Sequence, residues 1–393
     1  AVHDALTVAT LDARPQDEKP DAKAEVDAVV GPLGRHLVAV PKTLQDRELL
    51  LLVHARLLQV RTPELTEFYT TQTSSRVGER RAAYGAAVAR VCADLSRLAR
   101  REGLLEKALC YCELAQRFCG RVAIVERCEV EYARGATEAP VRRLQRAYGA
   151  KDAGEPHAIA LAVADLLDRN HAESGQVIEW YEHAVATSPG RDEKARRFLA
   201  KAHFRYARFL DGHWKRIAQG GQDATRWKAT CAEHYLISLE HGRKFLYQSV
   251  PRVLALAREA DAAIRAHPLP PDVWYPFLSL IVAKLGSRGF RDTALAGVLH
   301  ALLERYPQQA GWYLVSSVQS RDADRRQNAR RAVEALPAGT EARKCLDALC
   351  SFCRLLKLLA EMEGPRRSIR RCGSELAQLT QPVWRRVIIP TQA

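Results

Sequence analysis

An internal repeat in the first half of the chain constrains its fold more than any other feature. Residues 83–102 form a helical pattern that ends at Gly103, and a second helical pattern, LLEKALCYCELAQRF, follows and contains Ala115. The next unit repeats this order with Gly135 and Ala147, which are twelve residues apart, as Gly103 and Ala115 are. A glycine followed by a helix with small residues predicts a helical hairpin whose two helices approach closely.

A third unit continues the repeat with Gly175, Trp180, Tyr181, Ala184 and Pro189. The alanines of the three units, Ala115, Ala147 and Ala184, are 32 and 37 residues apart. Tetratricopeptide repeats have a period of about 34 residues, so the pattern predicts tetratricopeptide-like hairpins. Ala, Leu and Arg outnumber Gly, Thr and Ile, which also favours helix. The fold prediction is therefore an all-α protein, an α-solenoid of stacked helical hairpins.

The second half of the chain contains the segment HYLISLEHGRKFLYQSVPR, which spans residues 234–252. Tyr235, Leu239 and Gly242 recur at spacings of four and three, which places them on one helical face. Pro251 disfavours α geometry at the residue before it, and the hydroxyl of Ser249 could accept hydrogen bonds from the next helix. The segment thus predicts the end of one helix, a short break and the start of another at a hairpin corner.

Four blocks in this half resemble one protein family. The stretch GRKFLYQSVPRVLAL, from Gly242 to Leu256, resembles the FAT region of ATR-type kinases, members of the phosphatidylinositol-3-kinase-related family. The run YPQQAGWYL from Tyr306, FLAKAHF from Phe198 and VIIPTQA from Val387 are similar to further blocks of that region, in the same order. Ala257 and Gly311 depart from the family pattern, which has larger side chains at these two positions. We therefore expect looser packing at both.

The resemblance implies a fold and a division of the chain. Tetratricopeptide-like repeats would be followed by HEAT-like repeats, and the FAT region would curl around a kinase domain and clamp it. The implied domains are a poorly defined N-terminal segment (1–45), tetratricopeptide-like repeats (46–190), FAT repeats (191–335) and a C-terminal helix, basic loop and linker (336–393). The only methionine is Met362, and the chain fits a piece of a longer polypeptide.

The resemblance also implies function, partners and location. The parent enzyme would be a nuclear serine/threonine protein kinase in DNA-damage and replication-stress checkpoint signalling, and this segment would have a regulatory and scaffolding role. Its partners would be its own kinase domain, an ATRIP-like subunit and a second protomer. ATP and Mg would bind only to the kinase domain.

Catalytic motifs are absent from the sequence, so no catalytic, cofactor-binding or metal-binding residue is predicted. Phosphoryl transfer needs a phosphate-holding loop, a lysine, an aspartate and metal ligands, and no Gly-rich loop or Asp-Phe-Gly occurs. Gly220-Gly221 is too short to hold phosphates. His203, His234 and His241 lie on helical patterns without matched ligands, and we expect them to be structural or at the surface.

Ten cysteines are few for a chain of 393 residues, and most lie in amphipathic stretches. Cys350 and Cys353 have the CxxC spacing of zinc or redox sites, but they lie in an apparent helix without a second pair. Packing of small apolar side chains explains them better. We expect a reducing nuclear or cytosolic compartment.

The net charge of +14 raises the question of nucleic-acid binding. The arginines are spread over helix faces, and the densest run is residues 365–371. Single-strand binding usually adds aromatic platforms within a basic groove, whereas the aromatic residues here fall at positions expected to be buried. The pattern favours a solvated or partner-facing surface over direct nucleic-acid contact.

Two other functions remain open at this point. A freestanding tetratricopeptide-repeat adaptor, which binds a protein or peptide, would explain residues 83–189 but not the later blocks. A FAT region from another kinase of the same group, such as the ATM or TOR type, would explain both halves. No apolar run approaches the length of a membrane-spanning helix, about 20 residues.

Overall fold

The computed structural model describes residues 75–119, 123–150, 155–187, 192–218 and 224–360. The segments 1–45 and 387–393, the Gly220-Gly221 pair and the basic run 365–371 lie outside the described residues. Within the described ranges every regular element is a helix, and neighbouring helices pack against one another. The predicted all-α solenoid of stacked hairpins is therefore confirmed. The chain divides into two compact units, 1–188 and 189–393.

The described part of the N-terminal unit, from residue 75 onward, consists of three helical hairpins. Its helices are α1 (Ser75–Arg101), α2 (Leu105–Cys119), α3 (Ile124–Ala133), α4 (Glu138–Gly149), α5 (Pro156–Arg169) and α6 (Ser174–Ala186). Within each hairpin the two helices pack on each other, and the first helices, α1, α3 and α5, also contact one another in order. This nearest-neighbour packing is typical of helical repeats.

The three hairpin corners have the same hydrogen-bonded structure. At each corner one residue has a positive φ, and its N–H donates to the carbonyl three residues earlier. The next N–H donates to the carbonyl five residues before it, which completes a Schellman motif. The left-handed residues are Gly103, Gly135 and His171. The corners are thus 32 and 36 residues apart, and the third contains a histidine where the others contain glycine.

The position of the third corner corrects one part of the repeat prediction. Gly175, which we expected to mark this corner, lies inside α6. The corner lies at His171, whose φ is 55°, because histidine is one of the few residue types besides glycine that adopt this conformation with some frequency. The second helices of the three hairpins, α2, α4 and α6, nevertheless bury small and apolar side chains at corresponding positions. The buried ones are Ala108, Cys112, Ala115, Pro140, Val141, Leu144, Val177, Tyr181 and Ala184.

A chain of ion pairs joins the first helices of the three hairpins. Arg100 of α1 donates to Glu126 of α3 at 2.7 Å, and Arg169 of α5 donates to Glu129 of α3 at 2.8 Å. Arg100 also lies 3.8 Å from Glu129, and the two carboxylates have side-chain exposures of only 6% and 11%. Buried carboxylates require such partners, because an unpaired buried charge is strongly destabilising. We call this set the carboxylate bridge.

The left-handed corners give a direct test of the repeat. We expect Gly135→Ala to destabilise the protein by about 1–2 kcal/mol, because an alanine at φ +100° places its Cβ too close to the following carbonyl oxygen. Gly149→Ala is the matched control: no atom lies within 4 Å of an added Cβ there, and its φ is not positive. Urea unfolding followed by circular dichroism should therefore separate the two variants. Equal midpoints would contradict the assigned corner.

The described part of the C-terminal unit begins with a long hairpin, continues with shorter helices and closes with a 20-residue helix. Its helices are α7 (Glu193–Ala218), α8 (Ala224–His241), α9 (Leu246–Ala255), α10 (Asp261–Ala266), α11 (Pro271–Trp274), α12 (Leu278–Ala283), α13 (Ala294–Arg305), α14 (Pro307–Val318), α15 (Ala323–Glu334) and α16 (Glu341–Ala360). Three short 3₁₀ helices span Tyr275–Phe277, Lys284–Gly286 and Phe290–Asp292. Helix α14 lies in the middle of this unit, where it packs on α12, α13, α15 and α16.

Candidate functional site

Two of the blocks that resemble a known family, 198–204 and 242–256, pack against each other in the C-terminal unit. The hydroxyl of Ser238 in α8 donates to the carbonyl of Ala200 in α7 at 2.7 Å, and both groups are buried. A Cβ added at Gly242 would meet the Cβ of Ala200 at 3.4 Å, so the backbones approach closely here. The ring of Phe204 is stacked on that of Phe245, with centroids 4.0 Å apart and planes at 3°. We call these five residues the block interface.

The corner of the 234–252 segment lies earlier than expected. Helix α8 ends at His241 and α9 begins at Leu246, so the break spans Gly242–Phe245. Pro251 lies inside α9, and Ser249 is buried within it, so the predicted corner and cap at these two residues are wrong.

Burial explains why α9 continues through its proline. Val250, Val253 and Leu254 are at most 2% exposed. Each such side chain contributes about 1.5–3 kcal/mol when it is buried. The cost of proline inside a helix is about 3 kcal/mol, so the three buried side chains outweigh it.

A polar cluster ties three helices of this unit together. Arg252 of α9 binds Asp211 of α7 through both Nε, at 2.6 Å, and Nη2. The hydroxyl of Tyr235 in α8 donates to the same carboxylate at 3.4 Å. Hydrogen bonding to Asp211 raises the pKa of the Arg252 guanidinium, and burial raises the pKa of Tyr235. The arginine at the end of the 234–252 segment therefore holds α9 on the α7–α8 hairpin.

The histidines that looked unrelated in the sequence come together beside the block interface. Nδ1 of His203 lies 2.8 Å from Nδ1 of His234, and the ring of His241 is stacked at 6.0 Å from that of His203. Tyr206 packs on His234 with ring centroids 4.3 Å apart. One Nδ1 of the pair donates and the other accepts, which requires a neutral acceptor ring. Burial lowers the pKa of His203 to about 3 and that of His234 to about 4.

This cluster is structural in its chemistry. His203 is 6% exposed, and its ring nitrogen Nδ1 lies within hydrogen-bond distance of another histidine. His267, whose charge also lowers both pKa values, binds Glu240 through Nδ1 at 3.0 Å. Within the described residues, no group of three or more His, Cys, Asp and Glu side chains could hold a metal ion. The helical period places His234 and His241 on one face of α8, because they are seven residues apart. His203 lies in α7, and no local pattern in the sequence connects it with these two.

The CxxC pair lies on one helix, α16, and both thiols are half-buried and free. Burial raises the pKa of Cys350 to about 11 and also raises that of Cys353. A thiol with a raised pKa stays protonated at neutral pH and is a poor nucleophile and metal ligand. This agrees with the packing interpretation of these two residues.

The YPQQAGWYL block forms the start and centre of α14. Gly311 is buried, and a Cβ added there would lie 2.7 Å from Leu346 and 2.6 Å from Leu349 of α16. The expectation of loose packing at Gly311 is therefore wrong, because two leucines of α16 fill the space that a larger residue would occupy. Tyr313 of the same block is 51% exposed, and Tyr247 of α9 is 73% exposed.

The close approach at Gly311 predicts an unusual response to alanine. We expect Gly311→Ala to destabilise the protein by about 1 kcal/mol or more, because overpacking costs about 1–3 kcal/mol and outweighs the gain in helix propensity. Gly297→Ala, at an open position of α13, should instead stabilise it by about 0.5–1 kcal/mol. Chemical unfolding of both variants checks this. Stabilisation by both would mean that α14 and α16 do not meet at Gly311.

No protein-family model matches this chain, and no curated protein sequence matches it. Among the helices of the described ranges, none is both long and apolar enough to cross a bilayer.

Proposed function

We propose that this chain is the regulatory and scaffolding FAT solenoid of an ATR-type serine/threonine protein kinase, which acts in DNA-damage and replication-stress checkpoint signalling. The observation that supports this most is that two of the family-like blocks, 198–204 and 242–256, form one packed core through Phe204 and Phe245. Two segments that are distant in the chain and similar to one family thus contact each other in the folded protein. The helical repeat architecture is also the one that the proposal requires.

In this proposal the segment regulates by its shape. The catalytic residues, ATP and Mg belong to a kinase domain of the parent polypeptide, which the solenoid clamps. A shift of one hairpin would pass to the next, because each helix packs mainly on its neighbours. Arg252 and Asp211 would carry such a shift from α9 to the α7–α8 hairpin. The further partners would be an ATRIP-like subunit and a second protomer, and the location would be the nucleus.

The coding sequence provides the first test. Reading the transcript downstream of Ala393 should reveal a kinase domain in the same frame, with a lysine, a catalytic aspartate and metal-binding residues. An in-frame stop codon shortly after Ala393 would refute the proposal.

A peptide-binding adaptor is the second candidate function. Three consecutive hairpins whose corners share one hydrogen-bond pattern favour it, since stacked helical repeats form extended concave binding surfaces. The carboxylate bridge weighs against it, because Arg100, Arg169, Glu126 and Glu129 already bind one another. A peptide that contacts the first helices would have to break these pairs. Peptide-library selection on the purified chain, repeated with Arg169→Ala, would test it; no selected sequence would exclude this candidate.

A further inference from the structure

A basic surface forms where α15 meets the short 3₁₀ helix at residues 284–286. Nη2 of Arg325 reaches the carbonyl of Ala283 at 3.4 Å, and the side-chain amide of Asn328 donates to the carbonyl of Leu285 at 2.8 Å. These contacts bring Lys284 beside the first turn of α15, which Arg321 precedes by two residues. Arg288 follows four residues after Lys284 and is exposed, as Arg321 is.

The charge of this surface is largely unbalanced. The segments 284–292 and 321–331 together contain eight basic and three acidic residues, a net charge of +5. Within the described chain, the only ion pair in these segments joins Arg291 to Asp292. Asp322 accepts a hydrogen bond from the backbone of Arg325 as the N-cap of α15. Arginines elsewhere, such as Arg100, bind carboxylates.

The guanidinium of Arg325 adds a second observation. Its Nε is buried and has no hydrogen-bond partner in the described structure. A buried donor without an acceptor is costly, and more so when it is charged. Arg321 lies two residues before α15 and Arg325 lies in its first turn, so both stand at the same end of this helix. An incoming carboxylate can bind the guanidinium group of the exposed Arg321 with two parallel hydrogen bonds, and the unpaired Nε of Arg325 leaves positive charge uncompensated beside it.

We propose that Lys284, Arg288, Arg321 and Arg325 form a docking surface for an acidic protein segment rich in aspartate and glutamate. This choice of partner follows from the charge and from the lack of stacking platforms. The one aromatic residue in the two segments is Phe290, which is 3% exposed. Single-stranded nucleic acid would need exposed rings beside the basic groups. The inference does not depend on the proposed kinase function.

Fluorescence anisotropy with a labelled poly-glutamate peptide tests the surface on the full chain. The double substitution Arg321→Gln with Arg325→Gln should weaken binding about tenfold, because two charge-assisted contacts are lost. The matched control is Arg142→Gln with Arg197→Gln, which removes the same net charge from arginines that already bind helical glutamates. This control should retain the wild-type affinity.

Two further measurements keep the test decisive. Arg321→Gln alone, at an exposed position, should weaken binding in the same direction even if the double variant unfolds. Duplex DNA of matched charge should bind more weakly than poly-glutamate and should not displace it. An equal loss of affinity in the control pair, unchanged affinity in the Arg321 variants, or preferential binding of DNA would overturn the proposal.

Discussion

Lowering the pH from about 7 to about 5 is expected to destabilise the protein by about 2 kcal/mol for each histidine of the His203–His234 pair. The folded state keeps both rings neutral, because burial lowers the pKa of His203 to about 3 and that of His234 to about 4. In the unfolded chain both would titrate near the ordinary value of 6.5. Between these pH values, the unfolded state therefore binds protons that the folded state excludes.

The sign of the effect follows from this difference. Well above pH 6.5 both rings are almost entirely neutral in the folded and the unfolded state, so the pair does not weaken the fold. As the pH falls below that value, stability is lost, and the loss levels off once the folded pKa values are reached. Besides burial, the charges of His234, His241 and His267 also lower the pKa of His203.

Paired variants isolate the histidine contribution from that of the carboxylates. Replacing both members with glutamine, His203→Gln with His234→Gln, keeps a donor and an acceptor but removes the titration. Urea unfolding at pH 7 and pH 5 should show a much smaller pH effect in this variant than in the wild type. His183→Gln, at an exposed position of α6, should leave the wild-type effect unchanged. An identical pH effect in the wild type and the double variant would contradict the buried pair.

Phe204→Ala is expected to destabilise the protein by about 3–5 kcal/mol, because it removes a large ring from a packed core. Phe204 is 5% exposed, lies flat against Phe245, and its ring centroid is 6.0 Å from that of Tyr235. It joins two family-like blocks, so its removal should loosen α9 from the α7–α8 hairpin. Differential scanning calorimetry together with urea unfolding would measure the loss.

Two substitutions act as controls for Phe204→Ala. Phe204→Leu keeps most of the apolar volume and should cost less than about 2 kcal/mol. Tyr247→Ala, in the same region but 73% exposed, should cost about 0.5 kcal/mol or less. A small effect of Phe204→Ala, similar to that of Tyr247→Ala, would show that the two blocks do not share a core.

Local patterns in the sequence were sufficient to predict the helical repeat. Gly103 and Gly135 mark two hairpin corners because left-handed backbone favours glycine, and the spacing of small residues shows which faces pack. The third corner was misplaced because His171 adopts the same conformation without the glycine that signals it. The corner near Pro251 was misplaced because the burial of Val250, Val253 and Leu254 overrides a local preference against helix.

Contacts between distant segments could not be predicted from the sequence. The period of α8 places His234 and His241 on one face, but His203 comes from another helix 31 residues earlier. The tight fit of Gly311 depends on Leu346 and Leu349, which belong to α16. The basic surface at α15 likewise depends on a 3₁₀ turn that no periodicity marks. Each case requires the packing of helices that are separated in the chain.

The most direct test of the central proposal is the activity of the native polypeptide that contains this chain. An antibody raised against the chain would isolate that polypeptide from nuclear extract, and transfer of phosphate from ATP to serine and threonine peptides would be measured. We expect kinase activity on the same polypeptide, and we expect Phe204→Ala in the full-length protein to change it. A polypeptide that ends near Ala393, or one without phosphotransferase activity, would contradict the proposal.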